Sequence, residues 1–469
     1  MGYHQLPNEE DSMRSIILVF ILTLPAVEST FAQGDFPHAK KIDAIVAPWV
    51  KHRKANAISI GVISGGKTWT AHYGSLNGDG KQAPDDRTLY EIGSITKVFT
   101  SLLLADAVES GTLKLSDSIS HVMTELRTKN PTVGESVTFQ HLSHHNSGLP
   151  VSPSNIHPDD STNPFRGYDR TLLTDYMSSV KPTRKPGEAY EYSNLAVGLL
   201  GNLLSRQSGI SYGELLKQKI TGPLKMMDTS VSPSAEQTTR VAPPFNAALL
   251  ADRKWDFDSL AGCGAIRSTV SDMLLFMEAS QKSPDGLLGK AIELAWKQHK
   301  PAKDSERAMG LGWMIAGDGS TRWHNGQTGG YQSMMLVSRV TGTAVVLLCN
   351  TAGSGVDQLG EQIFQAALGM NVKPKSFDEF NVDPKEAARF AGKYQLAPGV
   401  EINVQVKNGR MMAQLTGQQF LSLEPKSKTE WRYQLVDAVL EFELPKTGPS
   451  NKVTLHQNGR DMPAPRIKE

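Results

Sequence analysis

A serine placed three residues before a lysine occurs at three points of the sequence, beginning at Ser64, Ser94 and Ser178. When both side chains share one face of a helix, an unprotonated lysine amine can take the hydroxyl proton and leave a nucleophilic oxygen. The Ser64 motif falls on a predicted hairpin turn, and the Ser178 motif falls where Pro182 ends a helix. Only Ser94 to Lys97 opens a predicted buried helix, whose N-terminal dipole would also favour an oxyanion. By itself, Ser94 could equally be a simple N-cap.

Two later segments carry further polar groups. Tyr192 to Asn194 comes about a hundred residues after Ser94, and Trp323 to Gln327 precedes a β-rich run. The first segment could be a turn, because Ser and Asn favour turns. In the second, His324 could be a structural histidine on a strand. The order of the three segments along the chain distinguishes them from chance matches.

In this order, Ser-x-x-Lys, Tyr-Ser-Asn and His-x-Gly resemble the motifs of the class C β-lactamase family. These penicillin-recognising serine hydrolases also include D-alanyl-D-alanine peptidases, D-aminopeptidases and some carboxylesterases. Gln140 to Leu149 is similar to the family's loop after its first long helix, and Ala261 to Thr269 is similar to its glycine-rich stretch before another core helix. The resemblance covers roughly residues 40–370. From about residue 380 the chain resembles a small β domain often appended to such hydrolases.

The resemblance implies the catalytic residues. Ser94 would be the acylated nucleophile, and Lys97 and Tyr192 would share the general-base and proton-shuttle work. Which of the two is the base stays open, because closely coupled groups titrate together. Asn194 would hold the amide of the substrate.

The resemblance also implies substrate-binding roles on the predicted strand. His324 would bind the substrate's carboxylate or support Tyr192. Gly326 would let the strand backbone approach the substrate closely. Backbone N–H groups of Ser94 and Gln327 would form the oxyanion hole.

The third motif departs from the one typical of class C β-lactamases, which is Lys-Thr-Gly. Lys446 to Gly448 has that sequence but lies in a proline-bounded turn of the predicted terminal domain, and we reject it as catalytic. At His324 to Gly326 a histidine with a reference pKa of about 6.5 replaces an always-charged lysine. This form is more typical of the family's peptidases and aminopeptidases than of its strongest lactamases.

No metal or organic cofactor is expected. Adjacent histidines at His141, His144 and His145 point in different directions and have no acidic partner at ligand spacing, so we assign them to packing and loop hydrogen bonds. The two cysteines, Cys263 and Cys349, are too few for a disulfide framework. They form either one bridge or two buried thiols.

Hydrophobic periodicity predicts the elements that must position these residues. A short amphipathic helix (40–50), a hairpin (58–75) and a buried helix (94–110) come first, and a helix-dominated region follows to about residue 300. Strands are then predicted at 311–315, 333–339 and 343–349, followed by a helix at 356–368. The hairpin and the later strands would form one antiparallel sheet flanked by helices around a mostly helical insertion. This α+β arrangement is that of the β-lactamase/transpeptidase fold.

Short alternating runs over 392–457 predict a separate all-β, lipocalin-like barrel. The predicted domains are a signal peptide (1–33), a hydrolase domain (34–372), a linker (373–384) and the barrel (385–469).

The prediction of a signal peptide rests on the apolar run Ile16 to Val27 after Arg14, which is shorter than the ~20 residues of a spanning helix. Acidic residues precede Met13, although the segment before the apolar run of a signal peptide is usually basic. A translation start at Met13 would leave these acidic residues out. A periplasmic or secreted protein without stable membrane insertion is expected.

Composition and net charge argue against some classes of partner and of protein for this chain. The 469 residues carry 49 Lys and Arg against 48 Asp and Glu, so no long-range field favours nucleic acid. With 39% hydrophobic and 21% charged residues the chain is neither disordered nor fibrous. Three hypotheses remain: hydrolysis of amide bonds in β-lactams or D-amino-acid peptides, carboxylesterase activity at the same site, and a non-catalytic sensor of peptidoglycan fragments. The expected partner is a small-molecule or peptide substrate, and the oligomeric state stays open.

Overall fold

A computed structural model describes residues 36–157, 162–299, 308–377, 382–407, 410–418, 420–433 and 436–467. The predicted signal peptide lies outside the described residues. None of the helices in these ranges combines the length and the hydropathy needed to cross a bilayer.

The larger part of the chain is built on one antiparallel sheet. This part of the chain contains β1 (Ala57–Ser64), β2 (Lys67–Gly74), β3 (Tyr90–Glu91), β4 (Arg267–Ser268), β5 (Met314–Ile315), β6 (Thr321–Gln327), β7 (Gln332–Ser338) and β8 (Thr343–Cys349). Six of them follow the order β2-β1-β8-β7-β6-β5, and β3 pairs with β4 separately. Ile58 in β1 pairs with Cys349 in β8, so the N-terminal hairpin joins the late strands. The predicted single antiparallel sheet is confirmed.

Helices cover both faces of this sheet, and other helices of this part of the chain pack mainly on one another. They are α1 (Ala39–Lys51), α2 (Thr96–Glu109), α3 (Leu126–Lys129), α4 (Pro131–Ser136), α5 (Phe139–Ser143), α6 (Arg170–Met177), α7 (Asn194–Ser208), α8 (Tyr212–Leu216), α9 (Ala235–Thr239), α10 (Val270–Lys282), α11 (Leu287–Trp296) and α12 (Val356–Ala367). Alternate residues of β1 face the two layers, because side chains alternate along a strand. Ile58, Ile60 and Val62 pack in the core formed with α1 and α12. On the other face, a Cβ at Gly61 would lie 2.9 Å from the Leu274 side chain of α10, so only glycine lets α10 come this close.

The strand predicted at 311–315 is shorter in the structure, where β5 is Met314–Ile315. Gly312 has a φ of +69°, and a Cβ there would lie 2.7 Å from the carbonyl oxygen of Lys97 in α2. The chain therefore turns against α2 before the strand can begin.

The C-terminal part forms a nearly closed antiparallel barrel after a short helix, α13 (Pro384–Ala388). Its strands pair in chain order: β9 (Gly392–Ala397), β10 (Val400–Lys407), β11 (Arg410–Leu415), β12 (Leu421–Pro425), β13 (Glu430–Tyr433), β14 (Ala438–Phe442), β15 (Lys452–Gln457) and β16 (Arg460–Pro465). A bridge between Tyr394 and Arg466 joins the last strand to the first. The barrel has its own apolar core, in which the rings of Phe390 and Phe442 stack 4.6 Å apart. The all-β barrel is thus confirmed, whereas the boundaries of the domains and of the linker stay predictions.

Both cysteines are free thiols buried in the structure, at Cys263 and Cys349. Of the two alternatives left by the sequence, the structure has buried thiols. Burial raises the pKa of each thiol to about 11, which keeps both protonated and poorly nucleophilic near neutral pH.

Candidate active site

Ser94 lies in a 3-10 turn, Gly93–Ile95, and α2 begins two residues later than predicted, at Thr96. Gly93 has a φ of +49°, which bends the chain into this turn. Gly93 and Ile95 are buried, whereas Ser94 is partly exposed. Ser94 is therefore the accessible residue of a turn whose other two residues are buried.

Lys97 is completely buried in the first turn of α2. Its Nζ donates hydrogen bonds to Ser94 Oγ at 2.9 Å, to Asn194 Oδ1 at 2.9 Å and to the carbonyl oxygen of Cys263 at 2.7 Å. An ammonium group has three donors, so all of them are used. These contacts compensate the burial of the charge in the ammonium form. In the unprotonated form, the amine at this position is within hydrogen-bond distance of the Ser94 hydroxyl.

Tyr192 completes the contacts to the candidate nucleophile. Its hydroxyl lies 2.7 Å from Ser94 Oγ, and Nζ of Lys97 lies 4.9 Å from the centroid of its ring. The structure thus brings together Ser94, Lys97, Tyr192 and Asn194 from two elements that are about a hundred residues apart. Because both Lys97 and Tyr192 contact Ser94 Oγ directly, either group can take its proton.

Ser193 fixes where the Tyr192 segment stops and α7 begins. Its Oγ accepts the N–H of Ala196 at 2.9 Å as the N-cap and donates to the carbonyl oxygen of Pro150 at 2.6 Å. The next residue, Asn194, donates its own N–H to the carbonyl oxygen of Val151 at 2.8 Å. Ser193 is therefore extended backbone that caps a helix rather than part of a turn, and the segment suggested by the resemblance leads directly into α7.

The glycine-rich segment around residues 261–269 supports α2 from behind. Thr100 Oγ1 donates to the carbonyl oxygen of Gly262 at 2.7 Å, and Ile266 N–H donates to Thr96 Oγ1 at 3.2 Å. A Cβ at Gly262 would lie 2.9 Å from Cα of Gly201 in α7, so only glycine allows the segment to pass between the two helices. This packing brings the carbonyl group of Cys263 to Lys97.

Ser94, the candidate nucleophile, lines a cleft with a volume of about 520 Å³. The residues that line it are Ser94, Tyr190, Tyr192, Met314, Asn325, Gly326 and Gln327. Asn325 belongs to the Trp323 to Gln327 segment singled out in the sequence but was assigned no role there, and Tyr190 lies two residues before the Tyr192 segment. Met314 had no sequence signal, because only the fold brings β5 beside Ser94.

His324 lies beneath the cleft rather than on its wall, because alternate side chains of β6 point inward. The ring is completely buried, and Nδ1 lies 2.6 Å from the carbonyl oxygen of Asn325. Burial and the nearby Lys97 charge lower the pKa of His324 to about 3, so the ring is neutral at ordinary pH. Nε2 makes no hydrogen bond to any described group. The predicted contact with a substrate carboxylate does not fit this burial, and His324 makes no hydrogen bond to Tyr192.

Gly326 is required by packing between strand and turn. A Cβ there would lie 2.0 Å from the carbonyl oxygen of Ile92 and 2.5 Å from Ser333 Oγ. The sequence predicted a close approach to substrate, but the crowding in the structure comes from the residues just before Ser94. Gln327 ends β6 at the rim of the cleft, and the oxyanion role of its N–H group and that of Ser94 stays a prediction.

A buried ion pair that sequence reasoning missed anchors the nucleophile turn. Glu91 and Arg267 face each other in the β3–β4 pair, with a nitrogen-to-oxygen distance of 2.9 Å. Both side chains are at least 90% buried, and the carboxylate also accepts the Trp255 N–H at 3.1 Å. Burial raises the pKa of Glu91, and the Arg267 charge opposes that shift. A charge pattern in the sequence could not identify this pair, since the partners are far apart along the chain.

The histidines in α5 and just after it have structural contacts, as expected from the sequence. Nδ1 of His141 accepts the Thr138 N–H at 3.2 Å, and the ring of His144 packs 4.8 Å from that of His299. His145 contacts the Tyr192 segment, as described below. In the ranges given above, no group of three potential ligands is placed to hold a metal ion.

Lys446 to Gly448 lies in an exposed turn between β14 and β15 of the barrel. The Gly448 carbonyl oxygen accepts a hydrogen bond from Arg389 Nε at 2.9 Å. The triplet does not line the cleft, in agreement with its rejection from the sequence.

Comparison with known families agrees with this fold. The model of the Beta-lactamase family matches residues 42–368, and that of a Domain of unknown function (DUF3471) matches residues 378–465. The first match covers most of the chain, which therefore belongs to the β-lactamase family. Within that family it is a serine hydrolase with a class C β-lactamase-like fold.

Sequence identity to the individual relatives is low. The chain is 29% identical over 245 residues to a β-lactamase of Pseudomonas fluorescens, an alignment covering 51% of this chain and 63% of that protein. It is 27% identical over 304 residues to a β-lactamase of Escherichia coli K12, covering 63% and 76%. It is 29% identical over 278 residues to the D-alanyl-D-alanine-carboxypeptidase/endopeptidase AmpH of the same organism, covering 56% and 69%. A solved class C β-lactamase superposes with a TM-score of 0.63 at 21% identity, over 72% of this chain and 97% of that one.

Proposed function

We propose that this protein hydrolyses the amide bond of β-lactams or D-amino-acid peptides through an acyl intermediate on Ser94. One observation carries the proposal: Ser94 Oγ lies 2.9 Å from Lys97 Nζ and 2.7 Å from the Tyr192 hydroxyl, at the edge of an open cleft. A hydroxyl held between two groups that can accept its proton is the arrangement that an activated serine requires.

The reaction follows from these contacts in two steps. Lys97 or Tyr192, in its unprotonated form, takes the Ser94 proton while Oγ attacks the substrate's carbonyl carbon. The carbon–nitrogen bond then breaks, and the same pair delivers the proton to the departing nitrogen. In the second step, water loses a proton to the pair and attacks the acyl group. The ester bond breaks, the acid product leaves, and Ser94 recovers its proton.

Asn194 links the reacting pair to the substrate in this proposal. Its Oδ1 already accepts a hydrogen bond from Lys97, which leaves its Nδ2 group to donate to a substrate amide carbonyl. The side chain is partly exposed, as such a contact requires.

A carboxylesterase is the second candidate, and the lining of the cleft favours it. Among the described residues that line the cleft there is no Lys or Arg, and the neutral His324 ring is buried beneath it. A substrate carboxylate, which β-lactams and D-peptides carry, gains most from a fixed cation. A short ester of an uncharged acid needs none. The sensor hypothesis has less support, since Ser94, Lys97 and Tyr192 are all present.

A periplasmic or secreted location belongs to the same proposal. The motive is the apolar run Ile16 to Val27 with a basic residue before it and small residues after it. The test is fractionation of cells that express the full chain, with the N-terminal sequence of the exported form. Retention of residues 1–33 on a cytoplasmic protein would overturn this part.

The deciding experiment is intact-mass measurement after incubation with a chromogenic cephalosporin, a D-alanyl-D-alanine peptide or a short p-nitrophenyl ester. An acyl adduct on the wild type and none on Ser94→Ala is expected. Ser64→Ala, which alters an unused copy of the same motif, should react like the wild type. Turnover of cephalosporin or peptide supports the amidase, and turnover of the ester alone supports the esterase. Equal reaction of Ser94→Ala and wild type would overturn the site.

A further inference from the structure

His145 contacts the Tyr192 segment at three points. Its carbonyl oxygen accepts the N–H of Glu191 at 2.6 Å, and its Nδ1 accepts the N–H of Ser193 at 3.1 Å. Between these two hydrogen bonds, the imidazole ring stacks on the Tyr192 ring, with centroids 4.4 Å apart and planes inclined by 29°. One residue thus holds the backbone on both sides of Tyr192 and also its ring.

His145 is buried and has an uncommon backbone conformation. Its φ is +56°, an uncommon value for a residue with a side chain, and the side chain is only 1% exposed. Because Nδ1 accepts a backbone N–H, the proton of the neutral ring is on Nε2. Burial, and after it the nearby Lys97, His324 and His144, lower the pKa of His145. The ring therefore stays an acceptor at neutral pH.

We propose that His145 is a positioning residue that fixes the Tyr192 hydroxyl against Ser94 Oγ and thereby sets the rate of acylation. This inference rests on the proposed function, in which Tyr192 takes part in proton transfer. Without the stacked ring, the phenol could rotate about its side-chain bonds and leave the 2.7 Å contact with Ser94. A displacement of about 1 Å in such a contact can cost about 10²-fold in rate.

Two substitutions separate the contacts of the His145 side chain. His145→Phe keeps an aromatic ring for Tyr192 but removes the acceptor for the Ser193 N–H. His145→Asn keeps an acceptor near the position of Nδ1 and tolerates a positive φ, but it removes the ring. Each is expected to lower kcat by about 10-fold, and His145→Ala by about 10²-fold, with KM within about twofold of the wild type. His121→Ala, at an exposed 3-10 turn, is the control and should leave both constants unchanged.

The decisive measurement repeats His145→Asn and His145→Ala in a Tyr192→Phe background, using whichever chromogenic substrate the wild type turns over. If His145 acts through Tyr192, these substitutions lower kcat less than twofold further once the hydroxyl is gone, because contacts that work as a unit are not additive. Full multiplication of the two losses, or wild-type kcat in the single variants, would overturn the proposal. Should His145→Ala not fold, the same comparison with His145→Asn decides.

The same experiment separates this inference from the proposed function. If Tyr192→Phe alone keeps the turnover of the wild type, the proposed role of Tyr192 fails, and the positioning role fails with it. If Tyr192→Phe is impaired but the His145 effects multiply in full, only the positioning role fails.

Discussion

Gly93 packs so closely on Gln327 that a Cβ atom at Gly93 would lie 2.6 Å from the Gln327 backbone nitrogen. The residue before the candidate nucleophile therefore touches the end of β6, the strand that lines the cleft. Turn and strand are in direct backbone contact, which makes the distance between Ser94 and the strand insensitive to the conformations of flexible side chains.

Gly93→Ala is expected to impair both stability and catalysis. The added methyl group meets backbone atoms, and the φ of +49° disfavours a side chain, so strain of about 1–3 kcal/mol is expected. Unfolding in urea and kcat on the active substrate are the measurements. Gly111→Ala is the matched control, since φ there is +75° but nothing lies within 4 Å of the new atom. Wild-type kcat in Gly93→Ala would show that the contact is not needed.

Lys97→Met is expected to lower the acylation rate by about 10²–10⁴-fold, the usual contribution of a positioned base. The substitution removes the group that contacts Ser94 and leaves Asn194 Oδ1 and the Cys263 carbonyl without their donor. Rapid-quench intact mass measures the rate of adduct formation. Lys181→Met changes the exposed lysine of an unused Ser-x-x-Lys copy and should acylate normally. Equal rates for the two variants would exclude Lys97 as a participant.

Glu91→Gln is expected to destabilise the protein by about 3–5 kcal/mol, because it leaves the buried Arg267 charge without a counter-ion. The free energy of unfolding is measured in urea by circular dichroism. Glu278→Gln breaks an exposed pair with Lys282 and should cost about 0.5 kcal/mol or less. A similar small effect at both positions would mean that Arg267 finds other acceptors or water.

The buried His144 is expected to make the fold sensitive to acid. Burial, with His299 and His141 nearby, lowers the pKa of His144 to about 3, whereas the unfolded chain titrates at about 6.5. Between these values only the unfolded state binds the proton, so stability is complete above about pH 6.5 and is lost as the pH falls.

The comparison with His144→Gln isolates this effect. The free energy of unfolding of the wild type, minus that of the variant, should fall by about 2 kcal/mol between pH 7 and pH 5. Urea unfolding at several pH values measures it. A difference that stays constant with pH would mean that His144 is protonated equally in both states.

The main architecture of this protein could be predicted from its sequence. Apolar runs predicted β1 and the late strands β7 and β8, because a fully buried strand needs apolar residues along its whole length, and the short turn after β1 predicted β2 as its partner in the hairpin. The order of Ser94, Tyr192 and His324 also predicted which residues to bring together, and for the first two the structure has them in hydrogen-bond contact. Patterns of this kind depend on the types and spacing of residues along the chain, so they can be recognised without the structure.

Only the tertiary structure decided which of those residues face substrate. His324 and Gln327 lie on one strand, yet one is buried under the cleft and the other is at its rim, and that depends on which layer covers β6. The pairing of Glu91 with Arg267 and the contact of His145 with Tyr192 join residues distant in the chain. Burial, charge state and such contacts arise when the layers pack, and a linear pattern of residue types does not contain them.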